Sequence, residues 1–249
     1  MANSLERKLN NILNIKNVKI IPENIKKDVS IFDVTGTLES AIITDKEYNQ
    51  CLDYTNKILT HDEYVPYTKL DYIETSYTQW IDTGIMANSD IVIEMNFKNL
   101  HSGSNRSYDR IIGTTQDVNF EFCDMGSVEY YRASINPSNI MENLTLNADE
   151  YNTIKLTGDG KVLINDIQKS SFSANPLNLP IQLFTINSHN NGDGCAIKMK
   201  YCKIYKDNNL IRDFIPTKDE DNVVCLYDKV SMEFFYNSGT GEFIGGNEI

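Results

Sequence analysis

From residue 67 onward, short β-prone runs alternate with clusters of turn-forming residues, at a spacing of roughly 8–15 residues. Strands are expected over 91–97, 108–113, 118–123, 128–133, 151–157, 161–164, 181–186, 195–205, 223–227 and 234–236. Gly158-Asp159-Gly160 separates two of these runs and reads as a hairpin turn. Helical periodicity is absent from the whole stretch. Antiparallel strands in this number suit a two-sheet sandwich, so the predicted class is mainly β.

The first 65 residues have a different character. Residues 3–15 read as a short helix, with Asn3 as N-cap and Glu6 three positions later. Leu5, Leu9, Ile12 and Leu13 recur on it at helical spacing. They form either a docking stripe for a partner or a stripe packed on the chain's own body. Residues 18–43 are extended and apolar, with Pro22 and the turn signal Thr35-Gly36-Thr37. Thr44 and Glu47 make a capping box for a second helix through about residue 59, striped by Tyr48, Cys51, Leu52, Thr55, Ile58 and Leu59. The polar segment His61–Pro66 marks a boundary. The expected organisation is a small α/β arm over 1–65 followed by a β domain over 66–249.

Composition narrows the function classes. A chain of 249 residues holds one or two domains, and 41% hydrophobic with 23% charged residues excludes global disorder. The net charge of −12 disfavours nucleic acid and anionic membrane surfaces, which need clustered Lys and Arg. Five cysteines occur without any CxxC, and Cys195 and Cys202 have no histidine at finger spacing. They are expected as reduced core thiols of a protein made in a cytosol. No apolar run approaches the ~20 residues of a membrane span. The opening MANSLERKLNNILNIKNVK has no apolar h-region. Export by a signal peptide is therefore not expected, and a surface role would follow from assembly inside a host cell.

Residues 70–85, LDYIETSYTQWIDTGI, resemble the opening strand pair of a concanavalin A-like (laminin G-like) jelly-roll family. Residues 209–246, NLIRDFIPTKDEDNVVCLYDKVSMEFFYNSGTGEFIGG, resemble that family's ending: a "lvRdfiP" strand, a "glYD" strand, then "kFy.n.GtG.F..G". The two stretches bracket almost the whole β region. The resemblance implies an antiparallel two-sheet jelly roll. In it Phe234, Phe235, Tyr236 and Phe243 would fill the core, and Gly239, Gly241, Gly245 and Gly246 would serve close turns. Trp80 stands where the family has Tyr, and reads as a core anchor ahead of a sugar-stacking platform. A third stretch, residues 20–37, IIPENIKKDVSIFDVTGT, resembles a short module of phage structural and fibre proteins, with Asp28 and Asp33 in place of its usual glycines.

Catalytic chemistry finds little support. Jelly-roll glucanases carry alternating carboxylates, roughly E-x-D-x-x-E, about 5 Å apart for retaining hydrolysis. Here Glu94-Met95-Asn96 has one acid, and Glu121 and Asp124 stand three apart, on opposite sides of a strand. The histidines His61, His101 and His189 fall in the linker and in polar loops, and no Gly-x-Ser-x-Gly elbow occurs. No enzyme is expected, and no catalytic, metal or ligand-binding residue is assigned. Calcium at a rim loop would use Asn190-Asn191-Gly192-Asp193-Gly194 or Asp219-Glu220-Asp221, both of which read first as solvated turns. Ser102–Asp109 and His189–Asp193 are candidate rim loops for sugar binding. With the resemblances, the expectation is an accessory structural protein on the surface of a bacteriophage particle. It would be made in the host cytoplasm and attached to capsid or tail proteins through residues 1–65, as capsid decoration or head fibre. Its jelly roll would adhere weakly to cell-surface glycan, alone or as a homo-oligomer. A tail or baseplate receptor-binding protein for host polysaccharide is the alternative, followed by a bacterial surface adhesin and a lytic glucanase.

Overall fold

The computed structural model describes residues 30–31, 34–35, 67–100, 109–114, 120–125, 131–135, 140–147, 149–171, 176–186 and 194–249. The chain divides into two units, Met1–Val65 and Pro66–Ile249. In the first, β1 (Ser30–Ile31) pairs antiparallel with β2 (Val34–Thr35), placing Ile31 opposite Val34. Both predicted helices, including Leu5, Leu9, Ile12 and Leu13, lie outside the described residues, as does most of the 20–37 module.

The second unit is mainly β, and its strands form two antiparallel sheets. The smaller has the order β10 (Ile140–Leu144), β9 (Tyr131–Ser134), β8 (Glu121–Asp124), β7 (Asp109–Thr114), β14 (Pro180–Leu183), β5 (Ile81–Met86). The larger runs β13 (Ile167–Ser171), β12 (Lys161–Ile164), β11 (Asn152–Thr157), β6 (Ile91–Asn99), β15 (Ile197–Lys206), β16 (Asn209–Lys218), β17 (Val224–Asp228), β18 (Glu233–Phe235). Short strands extend it: β3 (Thr68–Lys69) pairs with β16, and β4 (Ile73–Glu74) pairs with β15 and with β19 (Ile244–Gly245).

Period-two patterning decides which face is buried. On β6, Ile91, Ile93, Met95 and Phe97 point into the core, while Val92, Glu94, Asn96 and Lys98 alternate with them on the outer side. β15 shows the same rule with one interruption. Its buried residues are Ile197, Met199, Cys202 and Ile204, and the extra residue between Met199 and Cys202 is absorbed by a register shift against β6. The bulge restores inward parity and leaves both Lys200 and Tyr201 outside. Core side chains from the two sheets meet directly: the Phe97 and Phe122 rings pack edge to face with centroids 6.3 Å apart. At one end Asn99 of β6 donates to Asp124 (2.5 Å) and Tyr131 (2.7 Å) across the sandwich. Burial pushes the Tyr131 hydroxyl up to about 12 against the pull of the Asn99 hydrogen bond.

The segments that carry the family resemblance prove to be a single seam. Leu70 donates to Pro216 (3.0 Å), Asp71 to Asn247 (2.9 Å), Gly246 to Tyr72 (2.9 Å), Ser238 to Trp80 (2.9 Å) and Thr240 to Thr78 (3.1 Å), all through backbone. Asn237 locks the turn, its Oδ1 accepting from Trp80 N (3.1 Å) and Gly239 N (2.8 Å). A Cβ on Gly239 would stand 2.0 Å from the Thr78 carbonyl oxygen, and one on Gly246 1.9 Å from Asp71 Oδ1. Nearby, the fully buried Asp228 carboxylate accepts from the backbone of Asp213 (2.7 Å), Val230 (3.1 Å) and Ser231 (3.2 Å). Arg212 lies 3.6 Å from Asp228 and donates to the Thr83 carbonyl of β5 (3.2 Å), so it ties the sheets together.

Two core assignments need revision, and two strands escaped the sequence pattern. Phe243 joins the core and Phe235 packs on it, but Phe234 and Tyr236 do not. They lie in an outer row of rings with Tyr67 and Tyr227, because the even positions of β18 face away from the core. The strands β10 and β13 were not signalled by pattern, since Ile140-Met141-Glu142-Asn143-Leu144 and Ile167-Gln168-Lys169-Ser170-Ser171 are poor in β-branched residues. Both are terminal strands, held by backbone pairing to one neighbour.

Cys123, Cys195, Cys202 and Cys225 are buried free thiols, as expected; Cys51 lies outside the described residues. Burial raises all four, Cys225 to about 11. The unfolded thiol titrates near 8.5, so their contribution to stability is complete below that pH and is lost as pH rises from there toward each folded value, about 11 for Cys225 and higher for the other three. The urea midpoint should be lower at pH 10 than at pH 8, and a Cys225→Ala variant should lose less between the two. At the seam, Gly239→Ala should cost about 1–3 kcal/mol of urea-measured stability, against about 0.5 or less for the neighbouring exposed Ser238→Ala.

Candidate functional site

The outer side of the larger sheet gathers tyrosine, lysine, amide and carboxylate groups on a rigid support. Register sets their rows. Lys198 of β15 stands between Glu74 of β4 and Lys98 of β6. Tyr201 stands opposite Asn96, which faces Thr153 of β11. Lys203 stands opposite Glu94, which faces Lys155. Tyr72 and Tyr151 flank the first row from the residues just before β4 and β11.

Glu94 organises the centre. It takes an ion pair from Lys155 at 2.9 Å and lies 3.3 Å from the Tyr201 hydroxyl. Asn96 Nδ2 donates to Thr153 Oγ1 at 2.9 Å. Three ammonium groups rest over tyrosine rings: Lys198 on Tyr72 at 4.2 Å, Lys200 on Tyr151 at 4.0 Å and Lys203 on Tyr201 at 5.3 Å from the centroids. Lys155 is raised by its hydrogen bond to Glu94, and Lys198 by Tyr72 and then Glu74. Burial raises Tyr151 and Tyr201. At neutral pH Lys155 and Lys198 are therefore cationic beside un-ionised Tyr151 and Tyr201. Such a set suits a ligand rich in hydroxyls: rings pack on its C–H surface, and Glu94, Asn96 and the tyrosine hydroxyls exchange hydrogen bonds with it.

The smaller sheet carries a second polar cluster. Glu121 is fully buried on the side of β8 opposite Phe122 and Ala133. It accepts from Arg110 Nε at 3.1 Å and from Arg132 Nη2 at 2.7 Å and Nε at 3.2 Å. Two guanidinium groups on one carboxylate make a buried ion triad. Asp124, three positions on, faces the core with Asn99, so the two acids are separated by the sheet as their spacing predicts. They do not form an acid–nucleophile pair.

Other expected positions resolve individually. Asp219 of the Asp219-Glu220-Asp221 loop spends its carboxylate on the turn, accepting from Asp221 N (3.0 Å), Val223 N (2.9 Å) and the Tyr236 hydroxyl (2.9 Å). Among the described residues no three His, Cys, Asp or Glu side chains gather as a metal set, and no helix is long and apolar enough to cross a membrane. Trp80 is half-buried, with its indole edge against the Gly239 turn, so it serves the seam. The loop residues 102–108 and 189–193, and all three histidines, lie outside the described residues. The tyrosine–lysine face was missed from sequence, although Lys198, Lys200 and Lys203 within one strand are a visible signal.

Glu121→Gln should lower stability by about 3–5 kcal/mol, the usual cost of leaving buried charges uncompensated, measured as a shift in the urea midpoint. Glu94→Gln, on the half-exposed face, should cost about 1 kcal/mol or less. Comparison with protein-family models and with curated proteins finds no match to this chain.

Proposed function

We propose that this chain is a non-enzymatic accessory protein of a bacteriophage particle, attached through residues 1–65 and displaying residues 66–249 as a concanavalin A-like jelly roll. The observation that carries the reading is the seam. The two stretches that resemble the family, more than a hundred residues apart, lie side by side, and their distinctive residues have interlocking structural reasons to be there. The phage assignment rests on the resemblance of residues 20–37 to virion modules.

The role is adhesion to cell-surface glycan through the tyrosine–lysine face. An open sheet face holds an extended polymer only weakly. Many copies on one particle would convert weak contacts into firm adhesion through effective concentration. This favours a capsid decoration protein or head fibre. A receptor-binding protein of the tail or baseplate would use the same face with fewer copies.

Immunogold labelling of purified particles tests the reading. Label over the head is the expected result. Label at the tail tip would move the protein to receptor binding, and particles without label would overturn the virion assignment.

A further inference from the structure

We infer that the tyrosine–lysine face recognises a polysaccharide with spaced acidic groups, carboxylate or phosphate, rather than a neutral glycan. The inference rests on the adhesion reading above and names its ligand class. Charge is the first argument. Lys98, Lys155, Lys198, Lys200 and Lys203 share this face with Glu74, Glu94 and Asp213, and Asp149 meets Lys98 at its edge, so lysines match the carboxylates here although the chain carries a net charge of −12.

The second argument is how the lysines are held. Lys200 and Lys203 make no ion pair among the described residues; each lies over a tyrosine ring instead. A ring attracts an ammonium without neutralising it, so the charge stays available to an incoming anion. Lys98 is scarcely more committed, its contact being Asp149 at 3.9 Å, with Asp149 almost wholly in solvent. The β15 bulge is the third argument. It turns both Lys200 and Tyr201 outward, where regular alternation would have sent one of them into the core.

Geometry separates a polysaccharide from other polyanions. Lys203 and Lys155 are two strands apart, about 10 Å, with Glu94 between them. A nucleic acid duplex carries one charge per ~1.7 Å and would press phosphates against Glu94 and Glu74. A sugar chain bears its acids further apart and offers hydroxyls to those same carboxylates. The remaining negative charge of the protein likewise repels a dense polyanion more than a sparse one.

The test uses the full chain and four probes in titration calorimetry at low salt: polygalacturonate, a phosphomannan, neutral dextran and polyadenylate. We expect binding to one or both acidic probes, weaker as salt rises, and little binding to dextran or polyadenylate. Lys200→Gln/Lys203→Gln should bind the acidic probe about tenfold less tightly, the sum of two exposed ion pairs, with its melting temperature unchanged. A preference for polygalacturonate names carboxylate as the acid, and one for phosphomannan names phosphate. Equal binding to dextran overturns the acidic selectivity and leaves adhesion standing. Polyadenylate binding as tight as the acidic probes overturns the glycan class. Binding unaffected by the double substitution overturns the site. No binding to any probe overturns both this inference and the adhesive role, while immunogold label on particles would still uphold the virion assignment.

Discussion

The sandwich depends on a backbone seam that joins residues 69–80 to residues 237–249. Closing it brings together segments separated by almost the whole domain, and that loop closure costs entropy before any contact repays it. The repayment is concentrated. Phe243 enters the core against Phe184, Asn237 holds the Trp80 and Gly239 amides, and the glycine turn presses on the Thr78 carbonyl. Asp228 and Arg212 brace the adjoining strands, with a carboxylate wholly out of water and surrounded by backbone donors. A buried charge of this kind is tolerated because its lone pairs are filled.

Once closed, the two sheets use their outer sides in contrasting ways. On the smaller, Arg110, Glu121 and Arg132 are drawn out of water into one ion triad, where each charge is answered and geometry is fixed. On the larger, lysines remain half in solvent, resting on rings or in pairs that water screens. The first arrangement serves integrity. The second keeps its charges half in solvent, at little cost to stability.

The tyrosine–lysine face is built from one side of β6, β11 and β15, and the bulge on β15 sets consecutive Lys200 and Tyr201 on it together.

The sequence by itself determined the class, most strand positions and the burial of the thiols, because these follow from local pattern and from the aversion of apolar side chains to water. It also determined that Glu121 and Asp124 face opposite ways, since strand parity is a local rule. The edge strands at 140–144 and 167–171 were illegible, because a neighbour's hydrogen bonds rather than their own side chains hold them extended. Phe234 and Tyr236 were misplaced because hydrophobic character does not reveal which face of a strand meets the core. Only the tertiary structure decided the tyrosine–lysine face. Tyr72, Glu94, Tyr151 and Lys198 come from four distant stretches, and the register of β4, β6, β11 and β15 is what brings them within reach of one another.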